Sequence, residues 1–340
     1  MSRPLPDRPP PPPRQALPPR PDRNALPKKL LRIADEQEGL LTIAQCDTYG
    51  VDRGRRARLV AAGTLQRVAQ GICDTRGSGI AERIAAREYD HVRLRKVWLA
   101  QLLAGPGSVA VGQAALVAAG VHGVPWQFTP EMAYVNGRYG RSTEHLVIRQ
   151  MELGSLHIER AGLRFTEPER ALAQTIPELD RRTAVALIDS ARQQRVIDDA
   201  GLARARRLAV GRRGSVRAAP WWDESVMGAE SVLESLARLD CVDAGVPPDE
   251  LQVEVRAPDG TLLGRGDMGF RLADGRLLVV EIDGAGVHSD LAALFRDRSR
   301  QNDLVTRGGV LILRFTWKEV REPGVVGSAV RAVVRPDLAS

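Results

Sequence analysis

Three acidic residues stand in a strand-turn-strand pattern that covers residues 262–288. The turn segment 274–276 (D-G-R) separates two apolar runs, which predicts a β-hairpin. Side chains alternate between the two faces of a strand. With those three residues as the loop, Asp267 lies opposite Asp283, and Asp267, Glu281 and Asp283 share one face while the opposite face is apolar.

Carboxylates at cross-strand distance repel one another, so this face needs either shared protons or a hard divalent cation. Oxygen ligands of this kind suit Mg²⁺, with Mn²⁺ as a substitute. Such a cation could polarise a phosphodiester and activate water for its hydrolysis. The competing interpretation is a solvated acidic face on an amphipathic hairpin. The short loop that follows, with Gly284, Gly286 and His288, favours a site.

The same segment carries a family resemblance. Its elements are, in order, Glu281–Gly284, His288, Arg296–Arg300 and Leu311–Trp317. They resemble the domain related to very-short-patch-repair endonucleases, a branch of the PD-(D/E)XK nuclease superfamily, over the last third of the chain. The resemblance implies an αβββαβ restriction-endonuclease-like core and metal-dependent DNA cleavage, with Asp267 and Glu281 as metal carboxylates. The chain departs from the pattern at Asp283, where the superfamily signature has lysine although this branch commonly has aspartate, and at Gln301, where aspartate is expected.

Two helices are predicted to flank the hairpin. The first spans residues 228–239 and carries Glu234. In PD-(D/E)XK folds a glutamate of the first helix often joins the metal site, which makes Glu234 the candidate. A plain surface helix fits the pattern equally well. The second spans about residues 290–306 and carries Arg296 and Arg300 four residues apart, so both can reach a phosphate or the carboxylates.

His288 precedes the N-cap of the second helix. It could act as a general acid or hold the scissile phosphate, or it could be a loop histidine bonded to backbone. Residues 310–315 are predicted as a central strand because both of their faces are apolar.

The N-terminal part of the chain has helix-turn-helix spacing. Three short helices are predicted, the second capped by Thr42 and the third by Asp52, followed by a hairpin over residues 65–75. In the third helix we expect Ala57, Val60 and Ala61 to point inward. The candidate DNA-contacting residues are Arg53, Arg55, Arg56 and Arg58.

This order of elements resembles the winged-helix domain of AbiEi-type antitoxins, and residues 77–220 resemble the second, mixed α/β domain of such proteins. In that middle region, residues 109–119 are predicted as one buried helix. An arginine-rich run over residues 204–217 is either a solvated linker or a DNA-tracking patch. The histidines there are isolated and show no catalytic spacing.

Composition supports a multidomain DNA-binding protein. The chain has 340 residues, a net charge of +7 and a pI of about 9.8, which favour a polyanionic partner. Three scattered cysteines and the lack of an apolar leader or span suggest the cytoplasm, with no membrane partner. We predict a disordered proline-rich tail over residues 1–29, a winged helix-turn-helix over 30–76, the middle region over 77–220 and the nuclease-like domain over 221–340.

The sequence therefore predicts an α+β and α/β multidomain protein that binds DNA and ends in a Mg²⁺-dependent endonuclease domain. The residues assigned to catalysis are Asp267, Glu281, Asp283, His288 and Arg300, and those assigned to the metal are Asp267, Glu281, Asp283 and Glu234. The alternative is a non-catalytic AbiEi-like antitoxin or transcriptional regulator whose nuclease-like fold is an inactive binding module. A toxin or a second copy of the chain is a further possible partner.

Overall fold

A computed structural model describes residues 25–75, 89–153, 157–283 and 309–336 of the chain. Within these ranges the strands form three sheets that follow one another along the sequence. The chain is therefore a mixed α/β, multidomain protein, which confirms the predicted fold class at this coarse level. No helix in the described ranges is both long and apolar enough to cross a membrane.

The first unit packs helices on a small antiparallel sheet. Its elements are α1 Lys28–Glu36, β1 Leu40–Thr42, α2 Ile43–Thr48, α3 Arg53–Ala61, β2 Gln66–Ala69 and β3 Ile72–Asp74, with β3 between β1 and β2. Both predicted caps are confirmed: Thr42 forms a capping box on α2, and Asp52 accepts the backbone N–H of Arg55 at 2.8 Å. The helix α1 begins inside the predicted tail, where Leu26 is buried, so that part of the disorder prediction is wrong. Residues 1–24 of the tail lie outside the described residues.

The middle unit is built on a mixed sheet with strand order β6-β5-β4-β8-β7. Its elements are α4 Tyr89–Ala104, β4 Ser108–Val111, α5 Gly112–Ala119, β5 Glu131–Tyr134, β6 Val147–Ile148, β7 His157–Arg160, β8 Leu163–Thr166, α6 Pro168–Thr175, α7 Arg181–Gln193, α8 Asp199–Ala209 and α9 Ser215–Ala218. The prediction of one helix over 109–119 is wrong. The β-branched run up to Val111 forms a central buried strand, and the helix begins only at Gly112, whose φ of +54° breaks the strand.

The third unit is a four-stranded sheet with order β12-β11-β10-β9. Its elements are α10 Val232–Asp243, β9 Glu250–Arg256, β10 Leu262–Arg271, β11 Leu277–Asp283, β12 Leu311–Thr316, α11 Trp317–Arg321 and α12 Val325–Val334. Neighbouring strands are antiparallel except for β11 and β12, which are parallel. Among the described strands β12 is at the edge, so the prediction of a central strand there is wrong. The helix predicted over 290–306 lies outside the described residues.

The hairpin of β10 and β11 forms with a register that differs from the predicted one by two residues. Met268 pairs with Val280, because Leu272 donates to the carbonyl of Arg276 at 2.9 Å and closes a three-residue loop. The loop ends at Gly275, whose φ of +87° is the left-handed conformation that such a loop requires. A shift of two residues returns each side chain to its original face, so the apolar face forms as predicted.

Helix α10 joins the middle and third units. Its Leu239 packs into the core of the middle unit, whereas Cys241 packs into the core beneath the third sheet. From α7, Arg182 forms an ion pair with the buried Asp240 of α10 at 3.0 Å and donates to the carbonyl of Val320 at 3.0 Å. The helix is therefore held on two sides, and the two units form one packed structure.

Candidate functional site

The carboxylates of Asp267 and Glu281 lie on neighbouring strands in the middle of the third sheet. Asp267 accepts a hydrogen bond from the backbone N–H of Ile282 at 2.6 Å. Burial raises the pKa of Asp267, and the charges of Glu281 and Glu230 raise it further against the effect of that hydrogen bond. The two acids are therefore close enough for their charges to repel.

Glu234 joins this pair from the first turn of α10. Its Oε2 accepts the backbone N–H of Glu230 at 2.7 Å and the side-chain amide of Gln252 at 2.8 Å. Burial raises the pKa of Glu234, and the charge of Asp267 adds to this increase while the hydrogen bond from Glu230 opposes it. The glutamate that the family resemblance suggested is thus electrostatically coupled to Asp267.

Gln252, which orients Glu234, has a strained backbone. Its φ is +55°, in the left-handed region that residues other than glycine rarely adopt. Its neighbours Leu251 and Val253, although two residues apart, pack into different apolar clusters on different faces of the sheet. The normal alternation of β9 is interrupted here, and such outliers cluster at functional sites. Nothing in the sequence signals this conformation.

Glu281 is paired with an arginine that the sequence analysis missed. Glu281 is 6% exposed, and Arg314, its register partner on β12, donates to its Oε2 from Nε at 2.7 Å. Nη2 of Arg314 forms an ion pair with the same oxygen at 2.5 Å. The signal was present in the sequence, because Arg314 is the sole charge in the strand LILRFT. The charge of Glu281 is therefore compensated within the protein.

Asp283 does not complete a three-carboxylate cage. It is exposed at the end of β11, beside Thr316 of β12. Among the described residues, no three His, Cys, Asp or Glu side chains are arranged to hold a metal ion. Mg²⁺ needs no such cage, because it binds through one or two carboxylates and keeps several waters. The hard oxygens of the adjacent Asp267 and Glu281 therefore fit Mg²⁺ as a donor set. The remaining predicted site residues, His288, Arg296 and Arg300, lie outside the described residues.

The four arginines of α3 divide into two pairs. Arg55 donates to the carbonyl of Ala25 at 2.9 Å, and Arg56 donates to the carbonyl of Val51 at 2.7 Å and to the carboxylate of Asp47. Both therefore help to hold the N-terminal unit together. Arg53 and Arg58 are exposed and have no such side-chain partner among the described residues.

The inward face predicted for α3 is wrong. Leu59 is its buried residue, Val60 is half-buried, and Ala57 and Ala61 are exposed. Local spacing favoured the alanines, but the core of this unit buries the large apolar side chain of Leu59. The exposed face of α3 therefore combines small side chains with Arg58.

The arginine run over 204–217 is mostly helical, so it is not a linker. Four of its members make intramolecular contacts: Arg204 with Glu169, Arg206 with Asp223 at 2.6 Å, Arg212 with the carbonyl of Leu208 at 3.3 Å, and Arg217 with two backbone carbonyls. Only part of the run is therefore available to a phosphate backbone.

The chain is distantly similar to known proteins, whose names state no function. No protein-family model matches the chain. It is 28% identical over 190 residues to uncharacterised proteins of two Mycobacterium tuberculosis strains, CDC 1551 / Oshkosh and ATCC 25618 / H37Rv. The match covers 56% of this chain and 68% of each relative.

Proposed function

We propose that the chain is a DNA-binding protein whose C-terminal unit hydrolyses phosphodiester bonds with Mg²⁺. The observation that carries the proposal is the coupled set of carboxylates of Glu234, Asp267 and Glu281. Burial and mutual repulsion make this arrangement unfavourable for the free protein, and a divalent cation would relieve the repulsion. Unfavourable clusters of this kind are typical of sites that bind a ligand.

Each acid has a distinct part in the proposed site. Asp267 and Glu281 would hold the cation from adjacent strands, and Gln252 fixes the orientation of Glu234 beside them. When bound, Mg²⁺ supplies polarisation of the phosphodiester and a lower pKa for water. Arg265, which pairs with Glu230 at 2.7 Å on the exposed side of the cluster, is placed to meet a phosphate.

The order of elements supports a nuclease-like core. A helix, α10, is followed by the antiparallel strands β9, β10 and β11, and β12 then pairs in parallel with β11. These described elements follow the order of an αβββαβ core, whose second helix is predicted in a segment outside the described residues. Parallel pairing of consecutive strands requires a crossover connection rather than a tight turn.

The N-terminal unit supports a winged-helix mode of DNA binding. Three helices are followed by a β2-β3 hairpin, and β1 completes the sheet. The exposed alanines Ala57 and Ala61 leave room for the backbone of α3 to approach a groove, and Arg53 and Arg58 would neutralise phosphates. This binding is proposed for either function of the C-terminal unit.

A specific observation favours a second candidate, a non-catalytic AbiEi-like antitoxin or regulator. Arg314 already neutralises Glu281, so the buried carboxylate does not depend on a cation for its charge balance. In that case the C-terminal unit would be a binding module, for a toxin or for a second copy of the chain.

Plasmid nicking separates the two candidates. We expect the full chain to nick supercoiled DNA with Mg²⁺ or Mn²⁺ and not with EDTA, and Asp267→Asn and Glu281→Gln to abolish nicking while DNA binding in a gel shift is kept. Asp274→Asn, in the exposed turn of the same hairpin, is the matched control and should nick normally. DNA binding without cleavage under both metals would reject the nuclease and leave the regulator.

A further inference from the structure

The middle unit contains a polar cavity that is separate from the carboxylate cluster. It has a volume of about 250 Å³ and lies where β4 ends, β5 begins and α6 ends. Ligand sites in α/β structures commonly lie beyond the carboxyl ends of strands. Ligand binding in this cavity would be independent of the proposed nuclease function.

The N-terminus of α5 opens into the cavity without a side-chain cap. Its N-cap residue, Val111, cannot accept a hydrogen bond through its side chain. The N–H of Gly112 donates to Oε1 of Gln174 at 2.9 Å, whereas the N–H groups of Gln113 and Ala114 have no such acceptor among the described residues. First-turn N–H groups have no partner within their own helix. This end of the cavity therefore offers donors and the positive end of a helix dipole to a carboxylate.

Two buried polar atoms of the lining lack a protein partner in the described structure. Thr175, at the end of α6, is 3% exposed, and its Oγ1 makes no hydrogen bond. Oε1 of Gln113 is also a buried atom that makes no hydrogen bond within the described structure. Buried polar atoms are normally satisfied, so each such atom indicates a ligand or an ordered water.

Gly112 keeps the space between these groups open. A Cβ at this position would lie 3.1 Å from Oε2 of Glu131 and 3.7 Å from Oγ1 of Thr175. The other oxygen of Glu131, Oε1, is bonded to Arg149, so Oε2 faces the cleared space. A carboxylate oxygen, a hydroxyl and a helix N-terminus therefore surround one small volume.

The charges of the cavity lining favour a ligand that carries both a positive and a negative charge. Arg149 and Arg212 contribute positive charge, and Glu131 and Glu178 contribute negative charge. A simple anion would be repelled by the two glutamates, and a simple cation by the arginines and the helix dipole. No aromatic side chain occurs among the described residues of the lining, so a nucleobase would find no stacking surface.

We propose that this cavity binds a free α-amino acid. Its carboxylate would accept from the first-turn N–H groups of α5 and from the hydroxyl of Thr175. Its ammonium group would donate to Oε2 of Glu131 and Oε1 of Gln113. One zwitterion would then provide hydrogen-bond partners for both Oγ1 of Thr175 and Oε1 of Gln113.

The test is binding of the full chain to each of the twenty L-amino acids at millimolar concentration, by thermal shift and calorimetry. We expect saturable binding and a raised melting temperature for at least one of them. Propionate and methylamine, which each carry one half of the zwitterion, and inorganic phosphate should give neither effect. Amino-acid binding that propionate matches would identify a carboxylate site instead and overturn the proposal.

Two threonine variants provide a matched comparison. Thr175→Val removes the hydroxyl in the cavity and should weaken amino-acid binding at least tenfold, because a hydrogen bond to a charged group is lost. Thr166→Val removes another fully buried and unpartnered hydroxyl, on β8 and outside the cavity lining, and should leave binding unchanged. Equal binding by Thr175→Val and the parent chain, or no binding of any amino acid by the parent, would overturn the proposal.

Discussion

Replacing Arg314 with methionine separates the structural role of the Glu281 ion pair from its proposed role in binding a cation. Methionine keeps most of the length and apolar surface of the arginine stem but removes the guanidinium that forms the ion pair with Oε2 of Glu281. The variant therefore leaves a buried carboxylate without the cation bonded to it. We expect it to destabilise the third sheet around β11.

The size of the effect follows from the burial of the two side chains. Breaking a fully buried ion pair from one side costs about 3–5 kcal/mol. The Arg314 side chain is 29% exposed and that of Glu281 is 7% exposed, so solvent screens part of the interaction. We therefore expect the lower end, about 3 kcal/mol.

Hydrogen exchange of the peptide that covers residues 277–283 measures this loss locally. Global unfolding is less suitable because a chain of several packed units need not unfold in one step. A loss of about 3 kcal/mol corresponds to roughly 100-fold faster exchange. The matched control is Arg256→Met, which removes an equally direct pair, Arg256 with Glu254 at 2.7 Å, from an exposed position of the same sheet. Exposed pairs contribute about 0–1 kcal/mol, so the control should change exchange little.

Mg²⁺ then distinguishes the two proposed functions. If Glu281 is a cation ligand, Mg²⁺ should slow exchange in Arg314→Met more than in the parent chain, because Arg314 no longer competes for Glu281 and the cation binds more tightly. A cation that binds only the folded state stabilises that state more as its affinity rises. No extra protection by Mg²⁺ in the variant would reject Glu281 as a ligand. Exchange in Arg314→Met as slow as in Arg256→Met would refute the assignment of a buried, stabilising ion pair.

Two further predictions concern the acid pair and the basic helix. Asp267→Asn should raise the free energy of unfolding at neutral pH, because burial raises the pKa of Asp267 and the folded state therefore disfavours its charge. The gain should vanish at about pH 3, where the carboxyl is protonated in both folded and unfolded states. Hydrogen exchange of the peptide over residues 277–283 measures the gain locally, and equal gains at the two pH values would contradict this reasoning. Arg58→Ala should weaken DNA binding and lower the slope of log affinity against log salt by about 0.9, whereas Arg195→Ala, at an exposed position after α7, should leave the slope unchanged. Equal slopes for both variants in salt-dependent anisotropy would reject α3 as the DNA-contacting helix.

Features set by a few consecutive residues could be predicted from the sequence. The caps Thr42 and Asp52 of the N-terminal unit depend on hydrogen bonds within three residues, and both form. The faces of the hairpin were also predicted, because a two-residue error in register returns each side chain to the same side. The error arose in the position of the three-residue loop, 273–275 instead of 274–276, which depends on which residue, here Gly275, takes the left-handed conformation.

Features set by distant segments could not be predicted in this way. The pairing of Glu281 with Arg314 requires the parallel register of β11 and β12, and the orientation of Glu234 requires Gln252 in a conformation that its residue type disfavours. Likewise, the inward face of α3 was assigned from local spacing, whereas the packing of its neighbours selects Leu59. In each case a tertiary contact determines which of several locally acceptable arrangements forms.

The acids of the carboxylate cluster differ in how firmly neighbouring residues fix their positions. Glu234 stands on α10, which is locked to α7 by the Arg238–Asp189 pair, 3.4 Å apart and almost fully buried. Glu281 is held instead by Arg314, a partly exposed side chain on a strand that lies at the edge of the described sheet. Moving the partly exposed Arg314 toward solvent breaks its ion pair with Glu281, whereas moving Glu234 would disturb the packing between two units. If the site alternates between a closed and a cation-binding state, Arg314 is therefore the group that changes position, and Glu234 and Asp267 stay in place.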